Sequence, residues 1–283
     1  MPAPLLNERD LDFMLYEFLD SESMCARERY RDHNRESFDA AITTAKQLAE
    51  KYFLPIRGKV DRNEPRFENG RVEMLPEIKQ AVDAATEAGF VSSTTDYEVG
   101  GMQLPLPVAT VANAYLTAAG STTLGYLSLT TANASLIEAH GTPEQIAKWA
   151  VPQRSGRFAG TMAMTEPGAG SGLADLITSA ERAEDGSYRI TGNKIYISGG
   201  DHELNENIVH LVLARVKGAP KGTKGISLFI VPKFLVNDDG SLGEQNDVAL
   251  AGLFHKMGGR GQTSTSLNFG ERGGAVGYLG GEE

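Results

Sequence analysis

Glycine is unevenly spread along this chain, and the imbalance constrains the fold more than any other feature. Of the 32 glycines, residues 1–155 hold 8 and residues 156–283 hold 24. Glycine weakens a helix interior by roughly 1 kcal/mol relative to alanine, yet it suits tight turns between strands. The first part is therefore expected to be helical and the second mostly β. A chain of 283 residues is long enough for two such domains, each with its own core. The expected fold class is α+β: a helical N-terminal domain over residues 36–157, preceded by an amphipathic extension over 1–35, then a small β-barrel or sandwich domain over 158–283.

Apolar residues in the first part recur at helical spacing. Leu11, Met14, Leu15, Phe18 and Leu19 form one stripe, and Phe38, Ala41, Ile42, Ala45, Leu48, Ala49 and Tyr52 a longer one that stops before Pro55. Pro76 suits a first helical turn, Ile78, Ala81, Val82 and Ala85 follow on one face, and Gly89 stands where a helix ends. Val108, Val111, Ala112, Tyr115 and Leu116 make another stripe, and a further helix is expected from Ser121 to about Ala139. Thr142-Pro143-Glu144-Gln145 carries a capping box with proline at the first helical position.

Strand-like runs follow at Phe158–Met164, Ser187–Ser198, Ile208–Lys217, Ile226–Val231 and Thr265–Phe269. Asp185-Gly186 is a hairpin signal, and a second turn is expected at Thr191-Gly192-Asn193. The segment Gly258–Gly281 is rich in glycine and poor in apolar residues, an unconvincing end for a domain.

Composition narrows the function. The chain carries 27 Lys+Arg against 37 Asp+Glu, a net charge of −10. That opposes a general nucleic-acid binder, which needs a basic footprint. The arginines at 27, 29, 31 and 35 alternate with Glu28, Asp32 and Glu36, as on a solvated helix face. The single cysteine, Cys25, excludes a disulfide framework, and none of the five histidines has a metal-ligand partner at helical spacing. No apolar stretch approaches the length of a membrane span, and the acidic first twenty residues resemble neither a secretory signal nor a transit peptide, so a cytoplasmic location is expected.

Chemistry is concentrated in Met162-Ala163-Met164-Thr165-Glu166-Pro167-Gly168-Ala169-Gly170-Ser171-Gly172. A strand runs into a proline-glycine turn and then a loop of small residues. Gly168 and Gly170 would let a ligand approach the backbone, and successive N–H groups could cradle an anion. Thr165 places a hydroxyl at the strand end, within reach of a planar heterocycle. Taken alone, the tract also fits an ordinary β-turn. A second segment, Gly192-Asn193-Lys194-Ile195-Tyr196-Ile197-Ser198-Gly199-Gly200, ends a strand with an aromatic ring and a hydroxyl. Tyr196 suits a flat cofactor, or equally a cross-strand partner.

Together with Lys256-Met257-Gly258-Gly259-Arg260-Gly261-Gln262-Thr263, and in this order, the two segments resemble the acyl-CoA dehydrogenase family, over about Phe38 to Glu282. The start Arg9–Glu17 looks like the extension of that family's larger bacterial branch. The resemblance implies FAD as cofactor, bound with acyl-CoA by the β domain. Met162, Met164 and Thr165 would border the isoalloxazine, and Tyr196, Ile197 and Ser198 its other edge, with the Ser198 hydroxyl near N5. Ser171 would lie at the boundary between FAD and substrate and contact the acyl-CoA. The implied reaction is α,β-dehydrogenation of a fatty acyl thioester: a glutamate takes the α-proton, and the β-hydrogen passes as hydride to flavin N5. Implied partners are fatty acyl-CoA, an electron acceptor such as an electron-transfer flavoprotein, and further copies of the chain when full-length.

Three departures qualify that reading. Gly172 stands where the family has aspartate, and Tyr196 where it has tryptophan. The helical bundle that supplies the family's catalytic glutamate is not represented, so no catalytic base is nominated, and the chain alone is expected to be a truncated, inactive two-domain portion. Glu166 is read as a structural carboxylate. Two alternatives remain open: a non-catalytic module that binds FAD or acyl-CoA, and a DNA-damage-associated flavoprotein relative.

Overall fold

In the computed structural model of the chain, residues 4–281 are described. It divides into two compact units. One takes the chain up to Asn63 together with Leu75–Leu127; the other takes Glu64–Met74 and everything from Ser128. The expected α+β class holds, with helices first and a barrel-like set of strands after.

The first unit is helical where the period of 3.6 is strong. Asn34 caps the helix Arg35–Leu48 in a reciprocal capping box with Ser37, and Phe38, Ala41 and Ala45 are buried. The chain continues as a π-helical turn, Ala49–Phe53. The helix Pro76–Glu87 begins on its proline, buries Ile78, Ala81, Val82 and Ala85, and is followed by Gly89 at φ +83°. Val108 and Ala109, in the helix Leu106–His140, pack with Phe38, Ala41 and Leu104. That helix leaves helical geometry at Gly120 and passes into the second unit after Leu127. The N-terminal stripe behaves differently from expectation. It forms a short helix, Glu8–Asp12, and a π-helical turn, Phe13–Phe18, but only Leu15 is buried. Met14, Phe18 and Leu19 are exposed, so the periodicity there marks no core face.

The second unit holds the strands β1 (Arg66–Glu68), β2 (Arg71–Glu73), β3 (Phe158–Ala163), β4 (Ser179–Arg182), β5 (Tyr188–Ser198), β6 (Asn207–Val216), β7 (Ile226–Pro232), β8 (Phe234–Val236), β9 (Leu242–Gln245), β10 (Val248–Leu253), β11 (Ser264–Phe269) and β12 (Ala275–Leu279). Hydrogen-bonded neighbours run β5–β12–β7–β6, and β4 pairs with both β6 and β5, which closes a five-stranded ring. Its interior is filled by Ile190, Ile197, Val212, Phe229, Val231, Leu267 and Phe269, among others. β11 and β10 extend the sheet from β5, and β3 runs parallel to β6.

β3 has a strand partner on one side only. Side chains of Leu106–His140 also bond it: Gly160 N donates to Thr130 Oγ1, and Asn133 Nδ2 donates to Thr161 O and, on the paired strand β6, to Val209 O. That blunts an edge which would otherwise invite strand addition. The capping box at Thr142 is present, and Trp149 packs with Phe158, Val209 and Ile230.

Three features depart from the sequence reading. β1 and β2 form a hairpin in the nominally helical part, turning at Asn69 and Gly70, both at positive φ. The turn expected at Thr191-Gly192-Asn193 is absent, because β5 runs unbroken through it. Gly192 is required there by crowding: a Cβ would collide with the Thr178 side chain. The glycine-rich final segment is no loose end either, since β12 completes the ring between β5 and β7. The Asp185-Gly186 hairpin forms as expected, with Ala183 N donating to Ser187 O. Among the described residues, no helix is long and apolar enough to cross a membrane, and no group of His, Cys, Asp or Glu is placed to hold a metal ion.

Candidate functional site

The chain leaving β3 runs antiparallel to the end of β5. Thr161 Oγ1 donates to Ser198 O (2.6 Å), Ile195 N to Thr165 O (2.9 Å), and Lys194 Nζ to Met164 O (2.9 Å). The two groups of residues picked out in the sequence, Met162, Met164 and Thr165 on one side and Tyr196, Ile197 and Ser198 on the other, are thereby brought to one corner.

β5 arrives at this corner through a bulge. Lys194 pairs with Leu267 and Ile197 with Thr265, so Ile195 and Tyr196 together oppose Ser266. Tyr196 sits at φ +58°, an uncommon conformation for a bulky residue. The residue is 59% exposed, and its ring lies against Phe254, with centroids 4.4 Å apart. Backbone strain of this kind costs of order 1–3 kcal/mol and collects at ligand sites. Met164 is also exposed. Two large apolar side chains thus stand open beside each other's strands. Met162 is half-buried against the core around Trp149 and Phe158, and the Ile197 side chain points into the ring interior, leaving that residue only its main chain to offer.

The polar groups at the corner are as informative. The hydroxyls of Thr165, Ser171 and Ser198 have no hydrogen-bond partner among the described residues, so they cap no turn. The loop after β3 does contain a turn, with Glu166 N donating to Ala169 O and Ala169 N to Glu166 O. Yet Gly168 and Gly170 have no internal reason to be glycine. Neither has positive φ, and a Cβ on either would meet nothing within 4 Å. Space left open on an exposed loop, next to unpartnered N–H groups at Gly168, Gly170 and Ser171, suits the close approach of a ligand with anionic groups.

Beneath this open surface lies a buried ion pair. Lys194 Nζ is 2.8 Å from Glu166 Oε1, and the two side chains are 0% and 3% exposed. Glu166 also accepts from Ile177 N (2.7 Å) and Thr178 N (3.0 Å). Burial opposes the charge on Glu166, but the N–H of Ile177, the Lys194 ammonium and Thr178 outweigh it and hold the carboxyl below its ordinary value. Burial lowers the Lys194 ammonium against the pull of Glu166. Glu166 is thus a structural carboxylate with its lone pairs committed. Lys194 escaped the sequence reading. The signal was alternation along β5, which puts Tyr188, Ile190 and Lys194 on buried positions, and a lysine there demands a carboxylate. A supposed turn at Gly192 hid that register.

The chain is similar to known proteins over nearly all of its length. The family model described as acyl-CoA dehydrogenase, N-terminal domain, matches residues 35–157, and the one described as acyl-CoA dehydrogenase, middle domain, matches residues 161–270. The chain is 34% identical to 3-methylmercaptopropionyl-CoA dehydrogenase of Ruegeria pomeroyi, over 97% of its own length and 46% of that protein. It is 37% identical to the broad-specificity linear acyl-CoA dehydrogenase of Mycobacterium tuberculosis, over 98% of its length and 46% of the relative. It therefore spans about half the length of the curated relatives it matches. Among solved structures, an acyl-CoA dehydrogenase complexed with FAD from Bacillus anthracis superposes with a TM-score of 0.68 at 20% identity, covering 89% of this chain and 38% of that one. At that identity the likeness is one of fold.

Proposed function

The chain belongs to the acyl-CoA dehydrogenase family, carrying its N-terminal and middle domains, and on that premise we propose that it is the cofactor- and substrate-holding portion of an FAD-dependent enzyme that desaturates a fatty acyl-CoA between its α and β carbons. One observation supports the reading: the hydroxyls of Thr165, Ser171 and Ser198 have no hydrogen-bond partner among the described residues, and Met164 and Tyr196 are exposed at the corner where Ile195 N and Thr161 Oγ1 tie their two segments together. Such a corner fits a flat ring that is apolar across its face and polar along one edge.

Bound there, FAD supplies the hydride acceptor. The chain's own residues do the rest. Thr165 and Ser198 offer donors to the ring's polar edge, where negative charge grows on reduction. Met164 and Tyr196 cover the apolar face and exclude water. Ser171, with the N–H groups of the loop, faces the acyl-CoA. Glu166 is committed to Lys194, Ile177 and Thr178, so in this reading it is not the base for the α-proton. An electron-transfer flavoprotein is the acceptor we expect, and the whole enzyme is expected to be a homo-oligomer.

Two measurements test this. Titration with the purified 283-residue chain should quench FAD fluorescence, and a chain with no FAD affinity would defeat the reading. The same chain with acyl-CoA and an artificial electron acceptor should lack robust turnover, since loss of a general base removes roughly 10²–10⁴ in rate. Robust turnover would place the base within these residues.

A further inference from the structure

Buried ion pairs are weak contributors to stability, because the cost of desolvation offsets most of the attraction. The Lys194–Glu166 pair therefore calls for another account, and its bonds supply one. Three stretches of chain meet on it. Lys194 comes from β5. Its ammonium holds the carbonyl of Met164, where the chain leaves β3. Glu166 Oε2 and Oε1 hold the N–H groups of Ile177 and Thr178, where the chain enters β4. The neck of the 167–176 loop is thus closed by one carboxylate, and the ammonium ties it to β5 beneath the main-chain bond from Ile195 N to Thr165 O. Gly192 supports the same construction, since only a glycine there leaves room for Thr178 to sit under the carboxylate.

Resting on the FAD reading above, we infer that Lys194 and Glu166 are positioning residues of the cofactor corner: the pair sets the spacing between Met164–Thr165 and Tyr196–Ser198 before any cofactor arrives. Neither side chain reaches the surface, so neither touches the ring. The pair acts through the main chain of Met164 and through the loop that carries Ser171.

The test separates positioning from mere stability. The double variant Lys194→Met with Glu166→Leu replaces the pair by apolar groups of similar volume, a change that is often neutral or stabilising for a buried pair. It is expected to keep the far-UV spectrum of the wild type, with a melting temperature lowered because Thr178 N and Met164 O lose their partners, while the FAD dissociation constant rises at least tenfold and the fine structure of the bound flavin's visible band is lost. A folded double variant with wild-type affinity and wild-type flavin spectrum overturns the inference and leaves the FAD reading intact. A wild-type chain that does not bind FAD overturns both. A second measurement needs no variant. In the wild-type chain without FAD, the amides of Ile177 and Thr178 should already exchange as slowly as those inside β5. Rapid exchange that slows only when FAD is added would mean that the cofactor orders the pair, and the inference would fall.

Discussion

Two places in the strand-built unit bury titratable groups and treat them in opposite ways. At the proposed cofactor corner, Lys194 and Glu166 are charged, and Glu166 is partnered by three donors. On β6, the His210 side chain is fully buried, and neither ring nitrogen has a hydrogen-bond partner. It packs edge-on to Phe269, with ring centroids 5.9 Å apart. Burial pushes its pKa down to about 3, and that of neighbouring His202 likewise, with Lys233 adding to both. Lys233 itself is paired with Asp201 at 2.7 Å. The contrast shows what a buried polar residue is kept for. The ion pair is tied into main chain on both sides and organises a loop. His210 organises nothing through hydrogen bonds and serves as a neutral, ring-shaped filler.

The largest effect that should sharpen this contrast is on stability at neutral pH. Lys194→Met alone leaves the Glu166 charge buried with only its two main-chain donors. Breaking one half of a buried pair costs about 3–5 kcal/mol, and denaturant unfolding should show a loss of that order. His210→Leu removes two unsatisfied nitrogens and no bond, and should be neutral or stabilising at pH 7. Equal losses in the two variants would break the comparison.

Acid titration separates the two sites by window. A histidine held near 3 in the folded chain and near 6.5 in the unfolded one takes up a proton on unfolding between those values. Stability is then level above pH 6.5 and falls as pH drops toward 3, by up to about 1.4 kcal/mol per pH unit for each such histidine. Glu166 works lower down. Its folded pKa lies below the ordinary 4.5, so its contribution is complete above 4.5 and is lost as pH falls through the depressed value. His210→Leu should therefore flatten the curve between pH 6.5 and 4.5, where Glu166→Gln leaves its slope unchanged. A wild-type curve with no slope in that interval would show that the imidazoles protonate without unfolding.

What the sequence disclosed follows the range of the forces involved. Local signals were legible. The spacing of Phe38, Ala41 and Ala45, the capping box at Thr142 and the turn at Asp185-Gly186 all rest on residues within one helical turn or one hairpin of each other. The Asn69-Gly70 hairpin carried an equally local signal, which the helical surroundings obscured. The misreadings were set by distant residues. Gly192 has the composition of a turn, but Thr178 across the sheet is what requires it. Gly277 makes the last segment look too poor in apolar groups for a strand, yet Ile190 and Val231 fill the space over it. At the proposed site, the motifs singled out Met164 and Tyr196, which the structure leaves exposed. Lys194, which holds them in place from beneath, could be recognised only once β5 was known to be continuous.

The smallest predicted effect bears on the surface of the corner rather than its foundation. Thr165 and Ser198 each carry a hydroxyl with no hydrogen-bond partner among the described residues. Thr165→Val and Ser198→Ala should therefore leave the melting temperature essentially unmoved, since surface changes away from caps and networks stay within about 0.5 kcal/mol. If the hydroxyls meet the polar edge of the flavin, each loss should weaken FAD binding by on the order of 1 kcal/mol, or roughly fivefold, and by more where a buried acceptor is left unpaired. Binding and melting are then uncoupled, the reverse of Lys194→Met, where both fall together. Flavin affinity and reduction unchanged in both hydroxyl variants would remove Thr165 and Ser198 from the site. A fall in melting temperature with affinity intact would mean that they support the fold through contacts of their own, and the division between an open cofactor surface and a buried support would lose its basis.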